Sequence, residues 1–234
     1  TEVVADSKDN DIPEFNENAP AISKLGDIWL LSKHKLICGD STQSSTYERL
    51  LGDARADMII CDPPYNVPVG GHVLQHDDGK HPEFAMASGE MSDEEFTEFL
   101  GNVFRNLTAY SKNGSIHYVW MDWRHMLEIV TAGKPHYKEL KNLCVWNKTV
   151  GGLGSFYRSK QELVFVFKNG SKPHINNFEL GQYGRCRNNV WDYPAPNCFF
   201  TDKESGETRD ELIKLHPTVR PVAMIVDAIK DCSK

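Results

Sequence analysis

The chain has 234 residues, 40% of them hydrophobic and 25% charged, an ordinary globular composition with length enough for a sizeable core. No apolar run is long enough to span a membrane, and the first 20 residues, with six acids, one lysine and two prolines, are no signal peptide. The net charge of −7 divides unevenly: residues 1–133 carry −12, residues 134–190 carry +7, and residues 191–234 carry −2. Aromatic residues Trp146, Phe156, Tyr157 and Tyr183 are interleaved with the basic residues of the middle segment, a pattern that points to a phosphate-facing sector. Six cysteines form no C-x-x-C pair, which fits a reduced protein better than a disulfide scaffold or a zinc ribbon.

Residues 1–24 read as an acidic tail or linker whose abrupt start suggests a cut from something longer. "HKLICGD" reads as a strand at 35–38 with Gly39-Asp40 at its carboxyl end, and "SSTYERLLG" as a short helix closed by Gly52. A strand at 57–61 follows, so the three elements predict a parallel βαβ unit with Asp40 and Asp62 side by side on one sheet edge. The segment 67–91 is expected to be a lid or substrate loop. Its His72, His76, His81, Asp77 and Asp78 have no visible scaffold and are read as a polar loop, with no metal site assigned. Ser92 and Glu95 spell a capping box for a helix with Phe96, Phe99, Leu100, Val103 and Leu107 on one face. "SIHYVWM", "NLCVWNK" and "ELVFVFK" are strands, with a short helix "MLEIVTAG" after the first. Gly152-Leu153-Gly154 opens no helix and reads as a substrate-facing loop, not a nucleotide loop. The last helix places Val222, Ile225, Val226 and Ile229 on its apolar stripe. The expected organisation is an α/β catalytic core at 25–169, a target-recognition insertion at 170–212, and a cofactor-side helix at 213–234.

The most informative stretch is "ADMIICDPPYNV", residues 56–67. The apolar run lacks period-2 alternation, as in a strand buried on both faces. Proline removes a donor and fixes its own backbone, so the strand must stop at Asp62, at the carboxyl edge where open α/β sheets bind ligands.

"DPPY" after an apolar strand, "GD" upstream, "SFYRSKQELVFVF" downstream and "HPTVRP" near the end together resemble the DNA amino-methyltransferases, in the order of the permuted β group. The resemblance covers residues 27–234. It implies a Rossmann-like, S-adenosylmethionine-dependent methyltransferase with a mixed, mostly parallel sheet. It also implies transfer of methyl to adenine N6 or cytosine N4 of a flipped base, in double-stranded DNA of a bacterial or phage-like cytoplasm. On this reading Asp62, Pro63, Pro64 and Tyr65 are catalytic: Asp62 and the Pro63 carbonyl accept the two amine hydrogens, and Tyr65 stacks on the base. The resemblance assigns cofactor contacts to Asp40, Asp62, His216, Thr218 and Arg220; the family more often has lysine at the last position. It assigns DNA contacts to Lys148, Phe156, Tyr157, Arg158, Lys160, Arg185 and Arg187, allows a homodimer, and allows a ParB-like domain upstream.

Aspartate before the prolines favours adenine over cytosine, for which serine is more usual. A non-catalytic DNA-binding module is the main rival, and methylation of RNA or of a protein glutamine a weaker one. The family's glycine-rich cofactor turn should follow the H-P-T helix, but the sequence stops at "DAIKDCSK". The expectation is that the natural protein continues past Lys234, that the sheet of these 234 residues is incomplete, and that they bind S-adenosylmethionine weakly or not at all.

Overall fold

The computed structural model describes Pro20 and residues 22–68, 84–152, 156–182, 186–194 and 219–234. A hairpin of β1 (Ile28–Leu31) and β2 (His34–Ile37) leads to α1 (Ser44–Leu51) and β3 (Ala56–Cys61). Next come α2 (Asp93–Ala109), β4 (Ser111–Met121), a 3₁₀ turn (Trp123–His125) and α3 (Met126–Gly133). β5 (Glu139–Asn147), β6 (Gln161–Lys168), β7 (Val190–Asp192) and α4 (Val222–Cys232) complete the described elements.

The main sheet has the order β3-β4-β6-β5-β7. The β3–β4 and β5–β7 pairs are parallel, and the β4–β6 and β5–β6 pairs antiparallel. The sheet is therefore mixed as expected, but evenly so among the described residues.

Alternation along the central strands builds two cores. Val119 and Met121 of β4 and Leu163, Phe165 and Phe167 of β6 pack with Phe96, Leu100, Val103 and Phe104 of α2 and Ile129 of α3. Ile116, Tyr118 and Trp120 of β4 and Val164 and Val166 of β6 face the other way, onto Trp146, Trp191 and the α4 residues Met224, Ala228 and Cys232. Both faces are covered, which is why these strands read as continuous apolar runs. The capping box of α2 forms as predicted: the Ser92 side chain accepts from the Glu95 amide, and the Glu95 carboxylate accepts from the Ser92 amide.

Two expectations are corrected. β2 lies outside the main sheet: it pairs antiparallel with β1 in a hairpin, so no parallel βαβ unit joins it to β3. A tight turn at Ser32, with φ of 56°, lets β2 pair with its immediate neighbour, which closes a far shorter loop than a crossover does. β7 lies within the stretch expected to be a recognition insertion and pairs parallel with β5. On α4 the buried stripe is Met224, Ala228 and Cys232, while Val222 and Ile229 are about 40% exposed. Smaller or flexible residues at i, i+4 and i+8 let the helix settle against the bulky Tyr118 and Trp191, while Ile225 of the expected stripe is only partly buried against the same core.

Candidate active site

β3 carries its last residue, Cys61, up to the carboxyl edge of the sheet, and Pro63 is buried directly after Asp62. Burial pushes the Cys61 thiol up to about 12, with the nearby Asp62 charge adding to it, so it stays a neutral packing group. One carboxylate oxygen of Asp62, Oδ1, accepts from the Tyr65 hydroxyl at 2.8 Å and from Arg220 Nη2 at 2.9 Å. Arg220 Nη2 also donates to the Tyr65 oxygen at 2.6 Å and pairs with Glu162 Oε2 at 2.8 Å. Glu162 Oε1 in turn pairs with Lys148. Trp146 supports both cations, with the Arg220 guanidinium 5.4 Å and the Lys148 ammonium 5.2 Å from its ring centre.

The electrostatics follow from this packing. Burial raises the Tyr65 phenol well above its ordinary value, and the charges of Glu162 and Asp62 raise it further, so it remains a neutral donor. Burial works against the Arg220 charge, but Tyr65, Glu162 and Asp62 outweigh it and hold the guanidinium protonated. Two acids and two bases thus form one nearly neutral network at the end of β3. The fork of arginine suits several oxygens at once where lysine would not.

Asn66, with φ of 52°, adopts a left-handed conformation that asparagine tolerates. Its side chain donates to the Met91 carbonyl at 2.8 Å and accepts from the amides of Gly89 and Met91 at 3.1 and 3.2 Å. The segment entering α2 is thereby clamped to the loop after Asp62.

Asp40 follows β2 of the separate hairpin and not a strand of the main sheet, so it does not share the sheet edge with Asp62. Its carboxylate accepts from the Thr42 amide and hydroxyl, both at 2.8 Å, and these bonds hold its pKa below the usual value. Asn106 of α2 donates to the carbonyls of Ser41 and Thr42 and fixes the turn. Tyr47 of α1 lies between the two sites: burial raises its pKa first, and both Cys61 and Asp40 add to the shift.

Among the residues assigned to DNA, Phe156 and Tyr157 are 85% and 80% exposed and pack edge to face with each other, 4.5 Å between ring centres. Arg158 and Lys160 are exposed beside them. Lys148 departs from expectation: its side chain is only 26% exposed and its ammonium is engaged by Glu162. Arg187 departs too, for its Nε pairs with Asp231 of α4 at 2.5 Å and its guanidinium lies 5.2 Å from the Trp191 ring centre. Both cations are paired with acids of neighbouring elements. His216, Thr218 and Arg185 lie outside the described residues, as do residues 69–83 of the expected lid and Leu153-Gly154.

Sequence reasoning missed Glu162, placed Trp146 only among the aromatics of a phosphate-facing sector, and missed Asn66. The first two sit opposite each other in the β5–β6 register. The available signal was a charged residue at the start of the otherwise apolar run "ELVFVF".

Comparison with known proteins agrees with this architecture. A family model described as DNA methylase matches residues 56–234. The PvuII DNA methyltransferase, described as cytosine-N4-specific, superposes with a TM-score of 0.53 at 12% identity, covering 80% of this chain and 67% of its own. The M1.HpyAVI–SAM complex matches with a TM-score of 0.43 at 11% identity, covering 78% of this chain and 68% of its own. The chain therefore spans about two thirds of the length of these structures. No curated protein matches it. The family match over most of the chain and the mixed sheet ending in Asp-Pro-Pro-Tyr lead to one assignment: the chain belongs to the DNA methylases of the adenine-N6/cytosine-N4 amino-methyltransferase type.

Proposed function

We propose that the chain carries the methyl-transfer site of a DNA adenine-N6 methyltransferase that uses S-adenosylmethionine. The observation that carries this reading is Asp62, held at the end of β3 by Tyr65 and Arg220 through Oδ1 alone, before two prolines. An exocyclic amine is a poor nucleophile because its lone pair is conjugated into the ring. Asp62 would accept one amine hydrogen and the Pro63 carbonyl the other, which frees the lone pair. Because the acceptors are fixed in advance, little reorganisation is needed in the transition state. With Tyr65 and Arg220 holding Oδ1, the second carboxylate oxygen is the natural acceptor for the amine. The exposed rings of Phe156 and Tyr157 suit stacking on a flipped base, which offsets part of the unstacking cost.

Bound S-adenosylmethionine would supply the methyl group. Asp62, directly after β3, and Asp40, which shares Tyr47 as a neighbour with Cys61, are the carboxylates that would accept from its polar donors. Arg220 fits a cofactor carboxylate less well, because its guanidinium already pairs with two acids. Arg220 therefore holds Asp62 and Tyr65 in place, and cofactor binding by these residues alone would be weak.

Cytosine N4 presents the same pair of amine hydrogens and is the second reading, supported by the cytosine-N4 enzyme of similar fold. Digesting methylated product DNA to nucleosides separates the two. N6-methyladenine is the expected product; N4-methylcytosine alone would overturn the adenine assignment.

A further inference from the structure

The turn that leaves β4 emerges from the same edge of the sheet as Asp62, since β3 and β4 run parallel, and packs against the start of α2. There Asp93, His125 and Glu128 each bring one ligand atom within 4.8 Å of the others. Asp93 is the first residue of α2, His125 closes the 3₁₀ turn and Glu128 lies in the first turn of α3. Glu128 is only 8% exposed. Its Oε2 lies 3.6 Å from Nδ1 of His125, too far for a hydrogen bond, and both atoms are buried without a partner. Phe96 holds the imidazole edge to face at 4.9 Å, so the ring is fixed in this orientation.

Buried polar atoms normally find partners, and two unpartnered ones facing each other call for something between them. We propose that Asp93, His125 and Glu128 bind a divalent transition-metal ion of the Zn²⁺ or Mn²⁺ kind, with water completing its coordination. One imidazole and two carboxylates are a donor set that such ions take, whereas Mg²⁺ prefers oxygen ligands alone. Asp93 is exposed, so it offers the ion an entry path and leaves room for water. The ion would cross-link three elements just beyond the segment that Asn66 clamps, and would tie the start of α2 to the turn after β4. No spacing motif announces it, because the ligands come from separate elements and only His125 and Glu128 are near in sequence.

The test uses protein stripped with chelator and titrated with ZnCl₂, MnCl₂ or MgCl₂, followed by calorimetry and thermal unfolding. One equivalent of Zn²⁺ or Mn²⁺ should bind, and at a hundredfold excess over Kd should raise Tm by roughly 5 °C or more. Mg²⁺ should not. Glu128→Gln keeps the side-chain shape and removes the buried charge, so its metal-free Tm should equal or exceed that of the wild type. It and His125→Gln should each weaken Mn²⁺ binding by at least about tenfold. Should either buried variant fail to fold, the exposed Asp93→Asn must show the same weakening. The proposal is overturned if the wild type binds no saturable equivalent, leaving His125 and Glu128 as a plain ion pair. It is equally overturned if the variants bind the metal as tightly as the wild type, which places the ion on other residues.

Discussion

Arg220 Nη2 lies 2.9 Å from Asp62 Oδ1, although 158 residues separate the two in the chain. The same guanidinium pairs with Glu162, so the segment before α4, the end of β3 and the start of β6 meet at one charge. Arg220→Ala would leave two neighbouring acids with a single lysine between them. A loss of about 3 kcal/mol is expected, as when one partner of a buried pair is removed. Arg220→Lys restores the charge but not the fork and should fall between the two. Urea unfolding checks both; an Arg220→Ala variant as stable as the wild type would show that the network contributes nothing to stability.

Asp62→Ala should lower methyl transfer by about two powers of ten or more, the size of effect seen when one preorganised electrostatic partner is removed. DNA affinity should be largely spared, because on the proposed function phosphate contacts fall to Arg158 and Lys160. Single-turnover transfer and equilibrium DNA binding are measured on the same preparation. Retained turnover above about one per cent of wild type contradicts the role given to Asp62.

Arg158 and Lys160 are exposed near the aromatic pair, whereas Lys148 is turned onto Glu162. Replacing Arg158 and Lys160 by glutamine should weaken binding to every DNA sequence and reduce the slope of log K against log salt by about two. Lys148→Met should instead lower stability and leave the slope unchanged. Binding isotherms across a salt series distinguish these outcomes, and an unchanged slope in the double variant moves the DNA surface elsewhere.

His117 is fully buried, bonded to Ser111, Ser115 and Tyr137, and burial lowers its pKa from 6.5 to about 3. The unfolded chain takes up a proton below pH 6.5 that the folded chain refuses. Stability is therefore complete above that value and declines as pH falls toward 3, by about 2 kcal/mol between pH 7 and pH 5 from this group. Denaturant unfolding at the two pH values, compared with His117→Gln, isolates the contribution. Equal pH dependence in the two proteins would contradict it.

Local signals are legible in the sequence, and long-range partnerships are not. The Ser92–Glu95 box and the apolar runs of β3, β4 and β6 predict their elements because each is settled within a few residues. The two prolines place Asp62 at the end of its strand for the same reason. The partner of β2 was misread because a neighbouring strand closed the shorter loop, and the buried stripe of α4 because shape outweighed hydrophobicity. Glu162 stands out only as a charge at the head of an apolar run, and Asn66 not at all, since their partners are 58 and 25 residues away.

The β5–β6 hairpin carries two tasks on one ladder. Trp146 faces Glu162 in its register, and bonds from the Lys148 amide to Lys160 and from the Gly152 amide to Ser159 continue the pairing toward Phe156 and Tyr157. Those bonds fix the alignment of the charged cluster from below, independently of what the tip contains. The tip can therefore change in length or sequence while Glu162 and Trp146 keep their places against Arg220. On the proposed function, reach toward the substrate and alignment of the reacting end become separable traits, and selection can alter one while leaving the other intact.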